Sequence, residues 1–200
     1  MLSSALARYR AFLRHPDVPT LLVTALVTRM PVGMLSLSLL LHVRSLTGSF
    51  ATAGAAVGAC LGASAVTGPF LGRIVDRRGP APVLFATGLV CPLALAVVLF
   101  AQRLDLAPRM VIAFAALAGA FLPPISVLTR TMWRHRFDDE RTRMMAFSID
   151  GVLIELAFTL GPMIVATLLA AASATAAFAV ALGFTAVAAP VFVLSPANVA

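Results

Sequence analysis

The sequence contains no lysine and little charge of any kind. Charged residues make up 12% of its 200 positions, against roughly a quarter in a soluble domain. Hydrophobic residues account for 60%, and the mean hydropathy is +1.00. A chain with so little polar surface cannot cover itself in water, which excludes a soluble globular domain and leaves a polytopic membrane protein. Only two cysteines are present, Cys60 and Cys91. Both fall inside apolar runs, and neither has the short spacing to a second Cys or His that a zinc site needs. They read as small buried hydrophobes, so no metal and no other cofactor is expected. Histidine is equally sparse. His15, His42 and His135 stand apart, no serine sits beside one in a nucleophile setting, and no two share a helix face. The chain therefore does not read as an enzyme.

All fifteen cations are arginine, and the net charge is +7. A basic balance can mark a nucleic-acid partner, but these arginines sit in short clusters between apolar runs, which is how membrane orientation is written. Nucleic acid is excluded on that ground, and the lipid bilayer is the first partner. Eleven arginines fall on one side: Arg8, Arg10 and Arg14; Arg73, Arg77 and Arg78; and Arg130, Arg134, Arg136, Arg141 and Arg143. Arg44, Arg103 and Arg109 fall on the other. By the positive-inside rule the larger set faces the cytoplasm, as do both termini, in a multi-pass protein of the cell membrane.

A bilayer core about 30 Å thick takes about 20 apolar residues per helix. Six stretches qualify: Val18 to Leu41, Phe50 to Leu71, Ala81 to Ala101, Met110 to Thr129, Met145 to Ala170 and Thr175 to Leu194. Runs this long and apolar are helices rather than barrel strands, so the fold class is all-α, a bundle of six spans over 18–194. The first run is too long for a signal-peptide core and lacks a cleavage signal, so it reads as a retained span. Residues 1–17 form a cytoplasmic lead-in, either an amphipathic turn built on Leu6, Tyr9 and Leu13 or a solvated basic tail. Residues 195–200 form a short tail.

Polar and helix-breaking residues inside the spans carry the functional expectations. Arg29 lies about 15 Å in from Pro19 at roughly 1.5 Å per residue, near the midplane. A charge there costs on the order of 3 kcal/mol, so it faces a wet cavity or a partner. Pro31 removes a helical hydrogen bond beside it, and Gly33 admits a close neighbour. In span 5, Asp150 and Glu155 are about 140° apart around the helix at 3.6 residues per turn and cannot share a face. Glu155 is expected at the depth of Arg29, in the cavity, as its counter-ion or as a proton carrier, and Asp150 opposite a cytoplasmic arginine. Gly54, Gly58 and Gly62 in span 2 make a smooth stripe for close helix packing. The Gly161-Pro162 step gives span 5 a weak point, and Pro123-Pro124 is expected to kink span 4.

Between spans 2 and 3 lies Gly72-Arg73-Ile74-Val75-Asp76-Arg77-Arg78-Gly79, read as a compact charged turn. With six spans around it, this stretch resembles the cytoplasmic signature of the N-terminal half of a major facilitator superfamily transporter: Gly72, an apolar pair, Asp76, Arg77 and Gly79. The usual basic residues after the last glycine are replaced by Pro80-Ala81-Pro82. Gly151 followed by Gly161-Pro162 is similar to a degraded form of the antiporter signature of drug-efflux members. The resemblance implies transport of a small solute by alternating access, with proton-coupled efflux as one form of it. It also implies a second six-helix half, on the same or a separate chain, and a cytoplasmic latch made by Asp76 and Arg77, with Asp150 as a partner for the arginine. The alternative is a truncated, non-transporting membrane protein or a helix-packing scaffold.

Overall fold

Backbone N–H and C=O groups find no water inside a bilayer, so an apolar run that crosses one closes its hydrogen bonds within a helix. The structure, a computed structural model, describes residues 18–125, 128–129 and 139–193. Among the described residues there are six helices and no strand. They are α1 (Val18–Thr47), α2 (Phe50–Arg78), α3 (Pro80–Leu99), α4 (Pro108–Ala120), α5 (Glu140–Ala171) and α6 (Ala174–Val193). Five are long and apolar enough to cross a membrane, and α4 is the shorter one. The lead-in over 1–17, the arginine-rich segment over 130–138 and the tail from 194 onward lie outside the described residues.

α1, α2 and α5 outrun their apolar stretches into polar residues, whereas α4 stops short of its own, and side-chain caps fix two of the starts. The Ser49 side chain accepts the N–H of Thr52 at 3.2 Å and starts α2; Asp139 accepts the N–H of Thr142 at 2.9 Å and starts α5 at Glu140 rather than at Met145. Each side-chain oxygen satisfies an orphan amide of the first turn. The stretch Gly72 to Gly79 departs most from expectation. It is not a turn but the last two turns of α2, which runs unbroken to Arg78. The reversal is made by Gly79 alone, at φ 79° and ψ 171°, with Pro80 opening α3. Only glycine adopts that backbone at little cost, and proline fits a first helical position, whose amide would lack a partner anyway.

Span 4 also differs from expectation. Pro123-Pro124 does more than kink it: α4 ends at Ala120, and helical backbone resumes only at Ile125. Two adjacent residues without N–H groups cannot continue the ladder, and the chain bridges the gap with Leu122 N–H to Gly119 O (3.1 Å) and Leu128 N–H to Pro124 O (3.2 Å).

α1 is the central helix, packed on α2, α5 and α6, with Met34, Leu39 and Val43 fully buried. α2 and α3 each lie on α4, α3 also on α6, and α5 runs along α1 and α6. The faces left open differ in character. α3 turns out the large apolar row Phe85, Leu89 and Leu93, as a lipid-facing helix does. α2 turns out its glycine stripe beside Leu61, Val66 and Phe70, and α5 turns out Glu155 among Val152, Leu156, Phe158 and Met163.

Candidate functional site

The site begins where α1 and α5 cross. A Cβ placed on Gly33 would lie 2.0 Å from the carbonyl oxygen of Ala157, and one placed on Gly161 would lie 2.5 Å from the carbonyl carbon of Gly33. The two backbones therefore touch, which only glycine permits on both sides. Pro31 and Pro162 flank this contact, yet both helices continue through them.

A turn below the crossing, Arg29 donates from Nη2 to Asp150 Oδ1 at 2.5 Å, and from Nη1 to the carbonyl oxygen of Ala25 at 3.1 Å. Arg29 is 1% exposed and Asp150 2%. This corrects one expectation: the counter-ion of Arg29 is Asp150, not Glu155. The cause is which side of α5 packs on α1. Asp150 lies seven residues before Ala157 and eleven before Gly161, the residues that meet Gly33, so the three share one face of the helix. Glu155, two residues before Ala157, lies on the other. Charges so deeply buried stabilise little in sum, since desolvation opposes their attraction. What the pair fixes is the rotation and level of α5 against α1.

Glu155 is elsewhere. It stands at the midpoint of α5, exposed, about 140° round the helix from Asp150. Its carboxylate has no ion-pair or hydrogen-bond partner among the described residues. Arg29 and Glu155, expected as a cavity pair, are thus separated: one is sealed inside the bundle and the other is on its open face.

At the C-terminal end of α2, Asp76, Arg77 and Arg78 are exposed, and Val75 just before them is buried against Leu71, Val83 and Leu84. Gly72 has open space where a Cβ would stand, as do Gly54, Gly58 and Gly62. The glycine stripe of α2 consequently has no packing partner among the described residues. The glycine of close approach toward α2 is Gly119 on α4, where a Cβ would lie 1.9 Å from the Cys60 carbonyl oxygen.

One buried polar group is an addition to the residues expected from sequence. His42, 1% exposed, places Nε2 3.3 Å from the Val98 carbonyl oxygen and Nδ1 3.3 Å from Thr175 Oγ1, and stacks on Phe178 with ring centroids 4.8 Å apart. It ties α1 to α3 and α6 near the end opposite the Asp76 stretch. The sequence does carry a signal for it, since a histidine between Leu41 and Val43 in an apolar run needs a partner.

A family model described as Major Facilitator Superfamily matches residues 21–199. No curated protein and no solved structure matches the chain.

Proposed function

Because the chain belongs to the Major Facilitator Superfamily, membrane transporters of small solutes, we propose that it is the N-terminal half of an alternating-access transporter coupled to protons. The second six-helix half, on the same or a separate chain, closes against the open faces of α2 and α5. Solute binds between the halves at the bilayer midplane, where such transporters place their sites. The observation that carries this reading is Glu155, a carboxylate at the middle of a membrane helix on a face the rest of the bundle leaves open. In lipid its charge would cost about 3 kcal/mol, so it belongs to a wet cavity, where its role is that of the coupling carboxylate. Arg29 and Asp150 act behind it by holding α5 in register. Asp76 and Arg77, exposed at the cytoplasmic end, form the latch of the outward-facing state. Both termini are cytoplasmic, in the cell membrane.

The test is accumulation of a panel of small solutes in membrane vesicles under an imposed pH gradient. At least one solute moves with the gradient, and Glu155→Gln abolishes that movement while the protein inserts in normal amount. Gradient-driven movement that persists in Glu155→Gln removes the proton role, and no gradient-dependent movement of any solute removes the coupled-transport reading.

A further inference from the structure

The open face of α5 is largely apolar, with Met144, Val152, Leu156, Phe158 and Met163 exposed, and three polar side chains fall along one line of it. Ser148, Glu155 and Thr159 lie within about 40° of one another around the helix, all exposed. The Ser148 hydroxyl donates to the Met144 carbonyl oxygen and the Thr159 hydroxyl to that of Glu155, each at 2.9 Å. Both hydroxyl protons are therefore used by their own helix, and what each hydroxyl turns outward is acceptor lone pairs. Glu155 between them is a carboxylate, an acceptor at every oxygen when ionised. The strip thus offers acceptors with a net negative charge and no donor. The Arg29 charge does not offset it, because that guanidinium is buried on the opposite side of α5, bonded to Asp150.

From this we propose that the strip is the recognition site for an organic cation bearing N–H groups, a protonated amine or a guanidine, with Glu155 as its counter-ion and the Ser148 and Thr159 oxygens as flanking acceptors. The proposal rests on the reading of this face as the transport cavity and names the substrate class that face selects. An anionic solute meets repulsion at mid-membrane with no donor to hold it. A quaternary ammonium gains the charge attraction but leaves the directed acceptors unmatched, and charge-assisted hydrogen bonds are the stronger kind.

Val152, 58% exposed and one turn before Glu155, is a reporter position outside the acceptor strip. In Val152→Cys, modification by a cationic and an anionic thiosulfonate reagent in water is compared, each rate divided by that on a free thiol. The wild type supplies the background from buried Cys60 and Cys91. The cationic reagent is expected to be favoured about tenfold, as one carboxylate at about 1.4 kcal/mol would give, and the preference disappears in Val152→Cys/Glu155→Gln. Benzylammonium slows the modification several-fold where Glu155 is present, benzyltrimethylammonium slows it less, and benzoate does not slow it. Equal rates for the two reagents, or no protection by benzylammonium, overturn the cation site while leaving the cavity standing. A cysteine that reacts with neither reagent until the protein is denatured shows a face covered by lipid or by another helix. That result overturns the cavity reading and the site with it.

Discussion

At the residue scale the decisive pair is Arg29 and Asp150. Removing one member of a buried ion pair costs about 3–5 kcal/mol, whereas replacing both by apolar groups of similar volume is often neutral. Arg29→Met and Asp150→Leu should each lower the melting temperature of the detergent-purified protein sharply, and the double variant should recover most of the loss. Two additive losses would mean that the pair is not what links α1 to α5. That Arg29 needs a partner was legible in the sequence, because a mid-membrane guanidinium needs one wherever it sits. Which partner was not legible, since the two residues are 121 positions apart and nothing local says that α1 lies beside α5. Nor was the face of α5 that packs on α1, because only the contact of Gly33 with Ala157 and Gly161 sets it.

At the scale of the element, the glycines divide into two kinds that look alike in the sequence. Gly33 and Gly161 lie where α1 and α5 touch, so Gly33→Ala drives a methyl into the Ala157 carbonyl. Overpacking of this kind costs about 1–3 kcal/mol, and the backbone on the far side has no side chain to yield. Gly58, with nothing within 4 Å of the point where an added methyl would stand, should accept alanine without loss and gain up to about 1 kcal/mol of helix propensity. Thermal unfolding of the two variants in detergent separates them, and a Gly58→Ala variant destabilised as much as Gly33→Ala would show that the α2 stripe is packed within the bundle. The regular four-residue spacing of Gly54, Gly58 and Gly62 announces a smooth face, which the sequence shows well. Whether that face is used inside the chain depends on neighbours that spacing cannot encode. The number of helices was legible for a simpler reason: each apolar run must close its own hydrogen bonds. Their ends were not, since Gly72 to Arg78 is charged and still helical.

For the whole molecule, α3 turns out a row of large apolar side chains alone, whereas the open face of α5 carries Glu155 among its apolar ones, so the two helices present different surfaces to whatever covers them. Asp76 and Arg77 stand at the C-terminal end of α2, a helix joined to α3 through Gly79 alone. A rotation of α2 therefore carries α3 with it, and a contact made by Asp76 acts on that whole end of the bundle rather than on a loose loop. If Asp76 and Arg77 latch the outward-facing state, Asp76→Asn weakens that state without touching the core, because Asp76 is exposed. A latch contact of about 1 kcal/mol shifts the balance between the two states about fivefold. With Cys at position 152 as reporter, modification from the outer side of oriented vesicles should fall by about that factor and modification from the cytoplasmic side should rise, at unchanged melting temperature. An unaltered ratio would remove Asp76 from the latch. A lowered melting temperature would instead assign Asp76 a structural role at the end of α2, and the state-dependent closure of the two halves would have to rest on Arg77 and the surfaces of α2 and α5 alone.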